Sequence, residues 1–354
     1  MTSKPSISIG ARQIGPSHPC YIIAELSANH GQDFNQAVEI IKAAKDAGAD
    51  AIKLQTYRAD TITLDCDNEY FRAGDGTLWQ GRRLYELYDE AHTPWEWQPR
   101  LKAEAERLGL DCFSTPFDLT AVDFLEKMAV KAYKIASFEI VDLPLIAAVA
   151  RTGKPAIIST GMATFAEIEE AVRTFWTAGG CGLALLKCTS SYPAKAEEMN
   201  LRTIPHLAAA LQVPVGLSDH TLGTEASIAA VALGANIVEK HLTISRQDPG
   251  PDSAFSLEPI EFKLLVDSIR IAERTLGEVR YEPSPREAAS RVFRKSLFAV
   301  RDIGAGEVLT AENIRSIRPG HGLHPRHLPE VLGRKAAKAI PRGTPLGFAH
   351  LEPR

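Results

Sequence analysis

The chain alternates short apolar runs with longer stretches in which apolar residues recur every three or four positions. The short runs read YIIAE, AIKLQ, LDCFSTP, AYKIAS, PAIIST, LALLKCT, VPVGLSDH and NIVEKH. Such runs, without strict alternation, are typical of strands buried on both faces of a parallel sheet. Between them, residues such as Ala37, Ile40 and Ile41 share one face of an amphipathic helix. Eight strands alternating with helices predict an α/β fold of the (β/α)8 TIM barrel type, and no GxGxxG follows the first strand to favour an open, dinucleotide-binding sheet.

Two segments depart from this repeat. A long loop, Tyr57 to Pro94, separates the second and third predicted strands, and loops of this length within a compact domain are usually functional. We expect it to act as a partial lid with substrate contacts; a stabilising or oligomer-forming excursion is the alternative.

The segment YEPSPREAAS suits a linker, and the pattern after it predicts short strands and turns. The predicted domains are a barrel over 1–280, a linker over 281–292 and a small β-rich domain over 293–354.

Composition and charge narrow the classes of function. The 354 residues are 45% hydrophobic and 24% charged, with a net charge of -4, as in ordinary soluble globular proteins. From Arg286 onward, 13 Lys and Arg face 6 Asp and Glu, but no nucleic-acid motif accompanies this basic tail. Signal-peptide and membrane-spanning patterns are absent from the sequence. We therefore expect a cytoplasmic protein without nucleic-acid or membrane partners, whose five scattered cysteines form neither disulfides nor a zinc site.

Every predicted strand ends in polar residues, and barrel enzymes place their active sites at these ends. The residues are Glu25, Lys53, Gln55, Ser114, Thr115, Lys134, Ser137, Ser159, Thr160, Lys187, Thr189, Ser218, Asp219, His220, Glu239, Lys240 and His241. Lysines in apolar surroundings supply charge and short hydroxyls supply direction, a combination that suits a bound carboxylate or phosphate. The alternative for Lys53 and Lys134 is an internal ion pair with a glutamate.

Two histidines, His220 and His241, end consecutive strands, so their rings can converge on one point. Two imidazoles with open positions suit a divalent cation that also binds water and a substrate oxygen. His30, after the first strand, is a weaker candidate ligand, and a hydrogen-bonded structural role is the alternative for each of the three histidines.

Two other functions are alternatives to a metal-dependent enzyme. Lys134 or Lys187 at a strand end could form an imine with a carbonyl substrate, as in a Schiff-base aldolase. A non-catalytic carbohydrate-binding protein is an alternative from another class.

Several segments of the chain resemble the sialic acid synthase family. They read YIIAELSANH, AIKLQTY, FSTPFD, YKIASFE, ISTGMAT, GLSDHT, EKH and GPDSAFSLEP, in the family's order over nearly the whole chain. RDIGAGEVLTAENIRSIRPGHG resembles the family's C-terminal antifreeze-like (SAF) domain. The resemblance implies an enzyme that condenses phosphoenolpyruvate with an amino sugar and releases phosphate by C–O cleavage. It also implies a divalent metal, manganese or magnesium, with cobalt open as well.

Within the family, the segments TLDCDNEYF, LYELYDEAHTPWEW and STPFDLTAVDFLE are most similar to the branch that forms pseudaminic acid. That branch implies the acceptor 2,4-diacetamido-2,4,6-trideoxy-β-L-altrose. These segments lie largely in the long loop, where acceptor recognition is expected. The branches that form N-acetylneuraminate and legionaminate are the alternatives.

The resemblance also assigns roles by position. Phosphoenolpyruvate binding falls to Lys53, Thr115, Lys134, Ser137, Ser159, Ser190 and Ser218, and metal binding to His220 and His241. Acceptor contacts fall to Gln55, Glu139, Tyr192, Asp252 and Arg318, and Glu25 joins the two histidines as a catalytic residue that positions or deprotonates water. Ser190 stands where the N-acetylneuraminate branch commonly has Asn. Arg318 matches an arginine that reaches the other subunit's active site, which implies a domain-swapped homodimer.

Overall fold

The computed structural model describes residues 5–74 and 78–353. Residues 75–77 of the long loop, together with 1–4 and 354, lie outside the described part of the chain. The chain divides into two compact units between Gly277 and Glu278. Within the described residues, no helix is both long enough and apolar enough to cross a membrane.

The first unit is a closed barrel of eight parallel strands, which confirms the predicted TIM barrel. The strands are β3 (Tyr21–Glu25), β4 (Ala51–Thr56), β5 (Asp111–Pro116), β6 (Tyr133–Ile135), β7 (Ala156–Ser159), β8 (Leu183–Cys188), β9 (Val215–Asp219) and β10 (Ile237–His241). Each strand pairs with its neighbour in the chain, and β10 closes the barrel by pairing with β3, with His241 opposite Glu25.

Helices cover the outside of the barrel, as the periodicity predicts. They are α1 (Phe34–Ala47), α4 (Gln98–Arg107), α5 (Leu119–Lys127), α6 (Leu143–Arg151), α7 (Phe165–Thr177), α8 (Thr203–Leu211), α9 (Glu225–Ala232) and α10 (Pro259–Leu276). Two further helices, α2 (Ala59–Ile62) and α3 (Leu84–Ala91), belong to the long loop. The ends of α1 show why the helices start and stop where they do. The Asp33 side chain accepts the Asn35 backbone N–H at its start, and Gly48, at φ 91°, ends it in a left-handed conformation.

An antiparallel hairpin precedes the barrel, and the sequence pattern did not predict it. It consists of β1 (Ile7–Ile9) and β2 (Arg12–Ile14). Its three isoleucines are buried in one cluster with Tyr21, Phe113, Ile157 and Ile237 of the barrel strands. The hairpin therefore covers the end of the barrel at which the strands begin.

Side chains of the strands alternate between the barrel interior and the helix layer. Along β3, Tyr21 and Ile23 belong to the interior cluster, whereas Ile22 and Ala24 pack with the helices. Because a strand repeats every two residues, this alternation also decides which polar residues at the strand ends point into the barrel. Glu25 follows the interior set.

The second unit has its own apolar core and a two-stranded antiparallel sheet, as the short strand patterns predicted. Its elements are α11 (Pro285–Ala289), β11 (Ser296–Ala299), β12 (Ile314–Ile317) and α12 (Leu328–Val331). The core is formed mainly by aliphatic side chains, among them Leu297, Ile303, Leu309, Ile340 and Leu346. Helix α11 lies within the segment interpreted as a linker.

Candidate active site

A cavity of about 470 Å³ opens where the barrel strands end. It brings together most of the polar residues that the sequence singled out. These are Glu25, Lys53, Gln55, Lys134, Ser137, Glu139, Ser159, Tyr192, Ser218, His220, His241 and Asp252. Thr115 and Ser190 are not part of the cavity wall, and Arg318 belongs to the second unit, so its role in the site stays a prediction.

The cavity floor is a cluster of two lysines and two glutamates. Lys53 Nζ lies 2.5 Å from Glu25 Oε2 and 3.8 Å from Glu239 Oε1, and Lys134 Nζ lies 3.4 Å from the same Glu239 oxygen. Thr115 Oγ1 accepts a hydrogen bond from Lys53 at 3.3 Å. Both lysines therefore form the internal ion pairs considered as their alternative role, and they do so while facing the cavity.

The charges in this cluster set the pKa values of its members. Burial raises the pKa of Glu25 to about 7, although Lys53 opposes the rise. Burial lowers the pKa of Lys134, partly offset by Glu239. For Glu239 burial is outweighed by Lys134 and Lys53, which hold its pKa below the usual value. Glu239 thus favours the charged form of both buried ammonium groups, together with Glu25 at Lys53.

Several buried polar atoms on the wall have no hydrogen-bond partner within the described chain. They are Glu25 Oε1, Glu139 Oε2, Ser159 Oγ, Glu239 Oε2 and His241 Nδ1. Buried polar atoms are normally paired. Their convergence on one cavity indicates a site built for a polar ligand rather than a structural void.

The two histidines meet as expected, with ring centroids 5.4 Å apart. His220 Nδ1 donates a hydrogen bond to the Thr189 carbonyl at 3.0 Å, which leaves Nε2 as the nitrogen with a free lone pair. Burial lowers the pKa of His241 well below its usual value and so favours the neutral, ligating form. Phe255, with its ring centroid 5.0 Å from that of His241, supports the ring. This donor set fits a divalent cation that completes its shell with water and substrate oxygens.

His30 is not part of this pair. Its Nε2 contacts Thr93 Oγ1 at 3.3 Å and its Nδ1 accepts the Gln32 backbone N–H at 3.1 Å. The ring also packs edge-on against Trp97. Both nitrogens are occupied, so the structural alternative holds for His30.

Strand alternation removes Asp219, Lys187 and Lys240 from the site. Lys240 lies between Glu239 and His241 but points to the helix layer, where its Nζ lies 2.9 Å from Asp219 Oδ2. Lys187 donates to the carbonyl of Cys188 instead of facing the cavity. The expectation that every polar residue at a strand end joins one rim is wrong for these three residues, because the two faces of a strand alternate. It is also wrong for Ser114, Thr160 and Thr189, which do not line the cavity.

The buried Asp219–Lys240 pair yields a stability prediction. Both side chains are almost fully buried, and Asp219 also accepts hydrogen bonds from the Thr221 amide and the Ser227 hydroxyl. Asp219→Ala is expected to lower the free energy of unfolding by about 3 to 5 kcal/mol, since it strands a buried ammonium. Chemical denaturation measures the change.

The matched control for this prediction is Asp267→Ala. Asp267 pairs with Lys263 at 3.0 Å, but both side chains are more than half exposed. Exposed pairs contribute about 0 to 1 kcal/mol. Equal effects of the two substitutions would contradict the assignment of Asp219 as a buried structural anchor.

Gly161, which follows β7, lets the chain pass close to two serines of the site. Gly161 has φ 26°, and a Cβ there would come within 2.4 Å of Ser137 Cβ and 2.7 Å of Ser190 Oγ. Glycine therefore allows the chain after β7 to approach both serines.

Cys188 lies beside the histidine pair, with its Sγ 3.8 Å from His220 Nδ1. Cys188 was not predicted as a site residue, although it lies two residues after Leu186 of the interior cluster and so on the same face of β8.

The opposite wall of the cavity is largely apolar and comes from the long loop. Its residues are Tyr57, Ile62, Trp79, Leu84, Leu87, Tyr88 and Ala91, joined by Phe117 and Phe138. Trp79 Nε1 donates to the Pro251 carbonyl at 3.1 Å and so ties the loop to the segment after β10. The long loop is thus part of the site, and its role as a partial lid with substrate contacts stays a prediction.

Comparisons with known proteins agree with this geometry. The NeuB family model matches residues 40–281, and the SAF domain model matches residues 294–352. Pseudaminic acid synthase of Campylobacter jejuni (strain 81-176) is 46% identical over 326 residues, which cover 92% of this chain and 95% of that protein. N,N'-diacetyllegionaminic acid synthase of Legionella pneumophila is 38% identical over 353 residues, which cover 97% and 98%.

A solved structure shares the architecture. The crystal structure of N-acetylneuraminic acid synthetase from Leptospira borgpetersenii, in complex with citrate, has a TM-score of 0.72 and 35% sequence identity to this chain. The match covers 81% of this chain and 95% of that one.

Proposed function

The chain belongs to the NeuB family, and from that premise we propose that it is a pseudaminic acid synthase. It would condense phosphoenolpyruvate with 2,4-diacetamido-2,4,6-trideoxy-β-L-altrose and water to give pseudaminic acid and phosphate. The observation that carries the proposal is the 46% identity to the C. jejuni enzyme over 92% of the chain. The lower identity to the legionaminic acid synthase favours the first acceptor over the second.

The lysine cluster is proposed to bind phosphoenolpyruvate. Lys53 and Lys134 place two buried ammonium groups at the cavity floor, and Ser159 Oγ is an unpaired hydroxyl beside them. A ligand with a carboxylate and a phosphate matches this set, because ammonium groups supply charge and hydroxyls supply directed hydrogen bonds. Ser137 and Ser218 line the same cavity and complete the proposed set. Thr115 would act indirectly, by accepting a hydrogen bond from Lys53, and Ser190 would act by packing beside Gly161.

The apolar wall of the long loop is proposed to face the acceptor sugar. A 6-deoxy sugar with two acetamido groups exposes three methyl groups, whereas N-acetylmannosamine exposes one. Leu84 and Leu87 on the wall can bury methyl groups, and Glu139, Tyr192 and Asp252 supply hydrogen-bonding groups.

A divalent cation is proposed at His220 and His241. Manganese or magnesium fits two imidazoles and several oxygens, and cobalt is acceptable to the same set. When bound, such a cation would supply Lewis-acid polarisation of the acceptor's aldehyde oxygen.

The residues of this chain would then carry the remaining steps. Lys53 and Lys134 orient phosphoenolpyruvate so that its C3 faces the aldehyde carbon. The C3–C1 bond forms as the aldehyde π bond breaks and its oxygen takes up a proton from solvent to become a hydroxyl, and water adds to C2 as positive charge develops there. Glu25 is proposed to accept the proton from that water, since its carboxylate is buried at the end of β3 with an unpaired oxygen. The tetrahedral product loses phosphate by C–O cleavage.

We further propose a domain-swapped homodimer in which Arg318 reaches the partner's sugar site, as the family resemblance implies. Arg318 directly follows β12 in the second unit. The basic balance of that unit suits an anionic substrate. Sedimentation of the full chain tests the dimer, and mixing Arg318→Ala chains with Glu25→Gln chains tests the exchange, because mixed dimers would regain one intact site.

Phosphate release from phosphoenolpyruvate with manganese tests the proposed activity. We expect turnover with the altrose-derived acceptor and at least about tenfold lower kcat/KM with N-acetylmannosamine and with the legionaminate precursor. Preference for either other sugar would keep the family and overturn the acceptor assignment. Borohydride trapping of a pyruvate adduct on Lys134, with activity that survives a chelator, would instead favour a Schiff-base aldolase.

A further inference from the structure

Ser27 has a backbone conformation that its residue type disfavours. It follows Glu25 and Leu26 at the end of β3 and has φ 49°, in the left-handed region that favours glycine. Glycine at this position would adopt the same backbone without steric cost. Such strain directs attention to what the buried serine side chain contacts.

The contacts of the Ser27 hydroxyl indicate what it contributes. Ser27 is 1% exposed, and its Oγ donates a hydrogen bond to Asp252 Oδ2. The same oxygen accepts a hydrogen bond from Gln55 Nε2 at 3.1 Å. Gln55 and Asp252 both line the cavity, whereas Ser27 lies behind them. One hydroxyl thus connects two wall residues from different strand ends.

The backbone around Asp252 is held independently of Ser27. Asn29 Nδ2 donates to the Leu242 carbonyl at 3.0 Å and to Ser256 Oγ at 2.9 Å, and Ser256 Oγ donates to the Asp252 carbonyl at 2.7 Å. These bonds fasten the turn after β3 to the segment after β10. The Asp252 carboxylate also accepts the Ala28 backbone N–H, so the Ser27 hydroxyl adds a second hold on its orientation and is the one that it shares with Gln55.

We infer that Ser27 is a positioning residue that orients the Gln55 amide and the Asp252 carboxylate toward the acceptor sugar. With its N–H2 group donating to Ser27, Gln55 keeps its amide oxygen as an acceptor, and the Asp252 carboxylate, bound by Ser27 and by the Ala28 backbone N–H, keeps further lone pairs. Both are acceptors for the hydroxyl and amide donors of a sugar. Unlike Glu25 and Glu239, which are neutralised by Lys53 and Lys134, Asp252 forms no salt bridge with the described residues, so its carboxylate disfavours an anion and suits the donors of a sugar.

This inference rests on the proposed function, because it assigns the Gln55 and Asp252 side of the cavity to the sugar. Ser27→Gly tests it without endangering the fold, since glycine relaxes the backbone. We expect an unchanged or higher melting temperature, an acceptor KM raised about tenfold through loss of a hydrogen bond to a charged group, and a phosphoenolpyruvate KM within about twofold of wild type.

Two further variants separate the hydroxyl from the backbone. Ser27→Ala keeps the strained Cβ and removes the hydroxyl, so it should show the same rise in acceptor KM without a gain in melting temperature. Ala129→Gly is the matched backbone control: Ala129 is exposed with φ 53°, and its replacement should leave both KM values unchanged.

The outcomes distinguish the inference from the function on which it rests. Wild-type turnover with an unchanged acceptor KM in Ser27→Gly, or an equal rise in both KM values, would overturn the role of Ser27 alone. Absence of wild-type turnover with each of the three amino-sugar acceptors would overturn the proposed function and the Ser27 inference together.

Discussion

Glu25→Gln is expected to lower kcat by about 10² to 10⁴-fold, the usual contribution of a general base. Glu25 is 1% exposed, ends β3, and has an oxygen without a hydrogen-bond partner beside the lysine cluster. Glutamine keeps the size of the side chain but cannot accept the proton of the attacking water. Phosphate release at saturating substrate concentrations measures the effect.

The pH dependence provides a second test of Glu25. Burial raises the pKa of Glu25 to about 7, so the carboxylate becomes protonated as the pH falls through that value. Wild-type kcat should decline below about pH 7 and level off above it, whereas Glu25→Gln should be slow at every pH.

Glu139→Gln is the matched control for Glu25. Burial also raises the pKa of Glu139 to about 7, and its Oε2 has no hydrogen-bond partner in the same cavity. Because Glu139 is assigned to the acceptor, its replacement should raise the acceptor KM and preserve the decline of kcat at low pH. If Glu25→Gln kept more than about a tenth of the wild-type kcat, the assignment of the base would be wrong.

His241→Ala is expected to abolish tight binding of manganese and to reduce turnover at least about a thousandfold, since a Lewis acid contributes several kcal/mol. His241 supplies a buried, neutral imidazole whose Nδ1 has no hydrogen-bond partner among the described residues. Calorimetric titration with manganese and phosphate release measure the two effects separately.

The control for this variant is His206→Ala. His206 is exposed and packs edge-on against Phe165, away from the barrel cavity. Its replacement should leave metal affinity and turnover unchanged. Retention of both properties in His241→Ala would remove the metal site from the proposed function.

The sequence predicted the barrel correctly because the same strand-then-helix pattern occurs eight times along the chain. Eight apolar runs, each followed by an amphipathic stretch, are a global pattern that no single residue can obscure. The hairpin of β1 and β2 escaped detection because three-residue strands with one or two apolar positions are too short to show a period. Its three isoleucines acquire their role only where the barrel provides a place to bury them.

The site was predictable only in part. The sequence shows which polar residues end each strand, but the prediction did not separate the side chains that face the barrel interior from those that face the helices. Glu239, Lys240 and His241 are consecutive, yet the first and third enter the barrel while the second pairs with Asp219. Counting alternate positions from Ile237 would have given this result. No such rule reaches Ser27, since its importance arises from a backbone angle and from contact with Asp252, 225 residues away.

The hairpin at the start of the chain has a consequence for biogenesis. Ile7, Ile9 and Ile14 share one cluster with residues from the first barrel strand through Ile237 of the last. Because loops that join distant parts of a chain close late and slowly, a ribosome would release the earliest segment long before its burial partners exist. We therefore expect the nascent chain to keep this hairpin unburied until β10 is synthesised, so that the part made first is among the last to become native.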